Sequence, residues 1–78
     1  MRAADVLEYL ARQLVDEPDE VEVYIVEDDD PVTLEVAVAP DDIGKVIGKR
    51  GRTANALRTI VRQAASLDDH DANVEILD

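Results

Sequence analysis

The chain has no cysteine, tryptophan or phenylalanine, only three glycines, and eight basic residues against nineteen acidic ones. Each shortage removes a class of function. Without cysteine there is no disulfide staple, no thiolate nucleophile and no thiolate-bound zinc or iron. Two tyrosines are the only aromatics, which argues against modules that read single strands by stacking bases on rings, such as RRM or OB folds. One serine (Ser66) and one histidine (His70) supply no nucleophile and base constellation among the acids, so no enzyme is expected. No apolar run approaches the roughly eighteen residues of a membrane span. The start, MRAADVLEYL, lacks an apolar stretch followed by a small-residue cleavage site, so the expected address is the cytoplasm.

At 78 residues the chain reads as one domain, residues 1–78, too small for a second lobe or a deep catalytic cavity. Function is therefore expected on the surface. The 46% apolar share is too high for a disordered acidic tail, although the net charge of −11 alone would suggest one. The signs are segregated along the chain. Residues 43–67 carry six basic groups and no acid, whereas residues 1–42 carry fourteen acids against Arg2 and Arg12, and residues 68–78 carry five acids. Screening acts over about 8 Å at physiological salt, so a phosphate touching the cationic segment feels its neighbours more than distant carboxylates.

Periodicity divides the chain into six elements without repeats or low complexity. In residues 3–15 the positions Ala3, Val6, Leu7, Leu10, Ala11 and Leu14 recur at helical spacing. Pro18 stops that helix. Val21, Val23 and Ile25, then Leu34, Val36 and Val38, alternate with other residues as two half-buried strands. The polar connector between them suits an antiparallel hairpin. After Pro40, Asp41 or Asp42 is placed to cap a short helix from Ile43 to Ile47. A third helix runs from Arg52 to Ser66, with Ala54, Leu57, Ile60, Val61 and Ala64 on one arc and Arg52, Asn55, Arg58, Thr59 and Arg62 on the other. Asp68, Asp69, His70 and Asp71 form a turn, and Val74 and Ile76 alternate with Glu75 in a last strand.

All three glycines, Gly44, Gly48 and Gly51, fall within eight residues. Gly48 and Gly51 bracket the basic pair Lys49 and Arg50 between two helices. Gly48 supplies the left-handed backbone that ends a helix, and Gly51 lets an outside chain approach the backbone closely. The N-terminus of the third helix then offers unpaired N–H groups and a positive dipole end. Every part favours a phosphate. The spacing is wrong for a Walker loop, because three residues separate Gly44 from Gly48 and Lys49 is followed by Arg50. It is wrong for a dinucleotide fingerprint, which needs Gly-x-Gly after a strand. It matches the GxxG loop that clamps about four nucleotides of single-stranded nucleic acid.

Val46-Ile47-Gly48-Lys49-Arg50-Gly51 resembles the KH signature, and the element order resembles the type II arrangement of that fold. Residues 44–52, with Ala54, Ala56-Leu57-Arg58 and the ending Val74-Glu75-Ile76-Leu77-Asp78, are similar to the KhpA family of small stand-alone bacterial KH proteins, as are Glu8-Tyr9, Val15-Asp16 and Pro18-Asp19. The resemblance covers the whole chain. It implies an α+β fold with three helices on one face of a three-stranded mixed sheet. It also implies single-stranded RNA as ligand, RNA chaperoning or post-transcriptional regulation, and a link to cell elongation and cell-wall organisation. As partners it implies a second copy and the larger KH protein KhpB, also called Jag or EloR.

The expected RNA contacts are Gly48, Lys49, Arg50, Gly51, Arg52 and Lys45 on the backbone side, and Ile43, Val46, Ile47 and Leu57 on the base side. No catalytic residue, metal or cofactor is expected. His70 among its aspartates lacks the enclosing glycine loop of a hard-cation site. Ala54 stands where KH signatures place a bulky aliphatic residue, so a shallower groove floor is expected. The acidic connector would weaken RNA binding if it folded toward the groove. Tyr9 and Tyr24 are expected in packing or at an interface. A rival function is a protein-interaction module on the same scaffold.

Overall fold

The computed structural model describes residues 1–26 and 31–78. The acidic connector at residues 27–30 lies outside them. Helix α1 spans Arg2–Leu14, strands β1 and β2 span Glu22–Val26 and Val32–Ala37, the short α2 spans Ile43–Ile47, α3 spans Arg52–Ser66, and β3 spans Ala72–Ile76. Single 3-10 turns at Pro18–Glu20, Pro40–Asp42 and Lys49–Gly51 join them.

Alternating apolar residues build the sheet. β1 and β2 are antiparallel, with Tyr24 opposite Glu35 and Ile25 opposite Leu34. β3 lies parallel to β2, with Leu34 beside Val74. A parallel return needs a long crossover, and α2 and α3 supply it. The sheet order β1-β2-β3 leaves β1 and β3 as edges. Leu34, Val36 and Val74 turn toward the helices and join Leu7, Ala11 and Val61 in one buried cluster. Glu22, Tyr24, Glu35 and Glu75 occupy the opposite phase and form the sheet face that carries no helix.

Helical spacing groups more residues into the core than the structure buries. In α1 the buried residues are Ala3, Ala4, Leu7 and Ala11, small enough on average to let the helix lie close to the sheet. Leu14 is exposed and Leu10 half-buried, because that arc turns toward α3 instead of the sheet. In α3 the core face is Ala54, Leu57, Val61, Ala64 and Ala65, whereas Ile60 is 46% exposed at the same seam. Among the described residues, no helix is long and apolar enough to cross a membrane.

Candidate nucleic-acid interface

A helix of five residues cannot hold its shape alone, so α2 depends on what its ends and its middle touch. Its middle is pinned by Val46, which is completely buried. At its C-terminal end the Gly48 N–H donates to the Gly44 carbonyl at 2.9 Å. Gly48 has φ 74° and ψ 176°, a region open essentially to glycine alone. A Cβ there would overlap Thr53 Oγ1 and stand 2.7 Å from Thr53 Cβ and 2.9 Å from Thr53 N. Backbone and space both require glycine at this position. Arg50, at φ 58°, and Gly51, at φ 74°, continue the bend in the left-handed region. Nothing lies within 4 Å of where a Gly51 Cβ would be. Both glycines keep the backbone freedom expected of them. The close approach by another part of the chain occurs at Gly48, where Thr53 of α3 comes in, whereas Gly51, though half-buried, has open space on its Cβ side.

The bend leaves donors uncommitted. Gly51 N–H donates to the Gly48 carbonyl at 3.2 Å and Arg52 N–H to the Lys49 carbonyl. Among the described residues, the Lys49 and Arg50 amides donate to no backbone carbonyl. No side chain caps the N-terminus of α3. Two free amides and a positive helix end therefore face the same bend, an arrangement suited to an anion. Lys49, Arg50 and Arg52 are exposed, and none of them forms an ion pair among the described residues.

The remaining expected contacts separate by position. Lys45 is engaged: its Nζ lies 2.9 Å from Asp16 Oδ2 and 3.2 Å from Asp42 Oδ1, and these hydrogen bonds raise its pKa against the cost of burial. Asp42, one of the two candidate caps for α2, occupies the cap position but makes no side-chain cap bond there. Its carboxylate is 2% exposed and accepts the Asp16 N–H at 3.3 Å and the Glu17 N–H at 3.1 Å. Of the four base-side residues, Ile47 is exposed and Ile43 half-buried. Val46 and Leu57 are buried, at 0% and 3% exposure: Val46 because so short a helix is held down by burying its middle, and Leu57 because it lies on the core face of α3. Ala54 is buried as well.

Helical spacing placed Arg58 on a solvated outer face, but it is half-buried. Its Nε donates to the Val74 carbonyl on edge strand β3 at 3.3 Å, and its Nη1 to Asn55 Oδ1 at 3.3 Å. Arg58 thus ties α3 to the strand beside the bend. No sequence pattern marks this, since it depends on how α3 packs against β3. Tyr24 is on the helix-free sheet face, where its hydroxyl donates to Glu22, and Tyr9 is exposed on α1. Neither lies at the bend.

Three helices over a mixed three-stranded sheet, with a glycine-bracketed basic bend between the second and third helices, define a KH domain. Residues 4–76 match the family model for the KhpA/KhpB KH domain, and the chain belongs to that family. It is 49% identical over 71 residues to the RNA-binding protein KhpA of Clostridium acetobutylicum, covering 91% of this chain and 95% of that one. It is 46% identical over 74 residues to the RNA-binding protein KhpA of Mycobacterium tuberculosis, covering 95% of this chain and 89% of that one. Among solved structures, Era of Aquifex aeolicus superposes with a TM-score of 0.72 at 23% identity over 95% of this chain and 29% of Era. A second Era structure, in complex with MgGDPNP and a segment of 16S ribosomal RNA, superposes with the same TM-score over 28% of its length. These two show the shared fold.

Proposed function

We propose that this chain binds single-stranded RNA without catalysis, gripping the sugar-phosphate backbone at residues 48–51. The observation that carries the reading is the bend itself, where, among the described residues, the Lys49 and Arg50 amides donate to no carbonyl and the exposed Lys49, Arg50 and Arg52 form no ion pair. Lys49, Arg50 and Arg52 neutralise phosphates, Gly51 admits the strand, and Ile47 with part of Ile43 meets the bases. About four nucleotides fit such a clamp. With three phosphates neutralised, log affinity against log salt has a slope near −2, at roughly −0.7 per phosphate. Changing Lys49 and Arg50 together to Asp tests the assignment. Oligoribonucleotide binding is expected to vanish while thermal stability holds, because neither side chain supports the core; unchanged binding refutes it.

Membership in the KhpA/KhpB family supports a finer reading, with the chain acting in the cytoplasm as an RNA chaperone or post-transcriptional regulator linked to cell elongation and paired with a KhpB-type protein. A second observation favours self-association or such pairing. Along the α1 and α3 seam, Leu10, Leu14, Ala56 and Ile60 line an apolar recess of about 210 Å³, and Tyr9 and Val6 extend it. The seam begins at Thr53, so a second copy docked there would set two bends near each other and raise avidity for one RNA strand. Ile60→Glu is expected to give a monomer by light scattering with the bend's RNA contacts intact. A protein that is already monomeric, and takes up no KhpB-type partner, overturns the docking reading and leaves RNA binding standing.

A further inference from the structure

We propose that Asp42 is the positioning residue of the RNA-gripping bend, anchoring α2, and through it Gly48, to the connector that follows α1; Lys45 completes this anchor and does not contact phosphate. The inference rests on the RNA-binding reading above and names what holds its site in place. Asp42 precedes α2 directly, yet its carboxylate turns away from that helix toward a segment 25 and 26 residues earlier in the chain. There it accepts the Glu17 and Asp16 amides, and Lys45, one turn into α2, bridges Asp42 and Asp16. A buried carboxylate without such partners is strongly unfavourable, so the contacts stand or fall together. They clamp the start of α2. At its other end Gly48 packs against Thr53 too tightly for even one added carbon. A displaced α2 therefore cannot keep the bend in register with the first turn of α3. Lys45 also neutralises two carboxylates that would otherwise repel a phosphate strand beside α2.

The test needs no RNA for its first readout. All three glycines lie in α2 and the bend, so the glycine amide signals of a nitrogen-15 NMR spectrum report on this segment alone. In Asp42→Asn, the Gly48 and Gly51 signals are expected to shift while those of β1 and β2 stay in place, and oligoribonucleotide affinity to fall about tenfold, equivalent to one or two net hydrogen bonds. Lys45→Met is expected to weaken binding with the salt slope unchanged, whereas Lys49→Met flattens the slope by about 0.7. Should Asp42→Asn not fold, Asp16→Asn and Lys45→Met leave the buried acceptor in place and carry the same readouts. Native glycine signals and native affinity in a folded Asp42→Asn protein overturn the inference, as does a slope that Lys45→Met flattens like Lys49→Met. If the unmodified chain binds no RNA, the functional reading fails, and the glycine shifts still decide the anchor.

Discussion

Replacing Gly48 with alanine should be far more damaging than the same change at Gly51, although both glycines have φ 74°. At Gly51, ψ is 13°, an ordinary left-handed conformation, and the new methyl meets open space. The cost is the left-handed penalty alone, about 1 kcal/mol. At Gly48 the backbone lies in a region all but closed to L-residues, at the upper end of such strain, about 2–3 kcal/mol. The methyl there also presses on Thr53, both side chain and backbone N, so the first turn of α3 must shift. The sum is at least about 3 kcal/mol. For a domain of this size that lowers Tm by about 12 °C or more, against about 4–8 °C for Gly51→Ala. Thermal unfolding followed by circular dichroism measures both. Thr53→Ala in the Gly48→Ala background should restore only part of the loss, because Thr53 Cβ and N remain at 2.7 and 2.9 Å. Equal losses at the two glycines, or full rescue by Thr53→Ala, would show that the close approach of α3 does not determine Gly48.

Four further outcomes are expected. Arg50→Gly relieves a left-handed non-glycine residue and should raise stability by roughly 0.5 kcal/mol after glycine's greater unfolded freedom is counted, while RNA affinity falls in titration. Val46→Ala empties a fully buried site and should cost about 2 kcal/mol in urea unfolding, with m unchanged. Burial pushes the Asp42 carboxyl up, but the Asp16 and Glu17 amides and the Lys45 ammonium outweigh it and hold the group below its ordinary value. Its stabilisation is therefore complete above the unfolded value of about pH 3.9 and lost as pH falls through the lower folded value, so the Tm gap between the unmodified chain and Asp42→Asn should narrow only at acid pH. Changing Glu22, Glu35 and Glu75 on the helix-free sheet face to Gln should raise RNA affinity at about 0.01 M salt, where the screening length is about 30 Å, and leave it unchanged at physiological salt.

Element order was legible because period 2 and period 3.6 differ sharply in residues 21–38 and 52–66 and because Pro18 and Pro40 punctuate them; the antiparallel hairpin followed from the short polar connector, and the parallel third strand only from the resemblance to the KH fold. The bend was legible because all three glycines of the chain fall within eight residues and two of them bracket a basic pair. Partition between core and surface was less so. Spacing tells which residues of a helix share an arc, not which of two arcs is covered, so Leu10, Leu14 and Ile60 read as core although they line an uncovered seam. Asp42 read as a helix cap because capping is local, and the amides it meets at residues 16 and 17 are brought near only by tertiary folding. Lys45 read as a phosphate contact and Arg58 as part of a solvated arc for the same reason.

That sorting of cations explains how an acidic chain can present an anion site. The whole molecule carries −11, and its extents are 34 × 23 × 18 Å. At physiological salt the screening length is about 8 Å, well below these dimensions, so the carboxylates of the far sheet face contribute little at the bend. What remains is local. Lys45 is committed to Asp16 and Asp42, and Arg58 to the Val74 carbonyl and Asn55, which leaves Lys49, Arg50 and Arg52 around the bend, and Arg62 further along α3, without an ion pair among the described residues. The committed cations hold structure, Lys45 at the start of α2 and Arg58 at the strand edge, and three of the others, Lys49, Arg50 and Arg52, gather where two backbone amides donate to no carbonyl among the described residues. On the proposed reading, affinity at this surface is governed by how well α2 and α3 keep the bend in place, and only secondarily by the total charge of the chain.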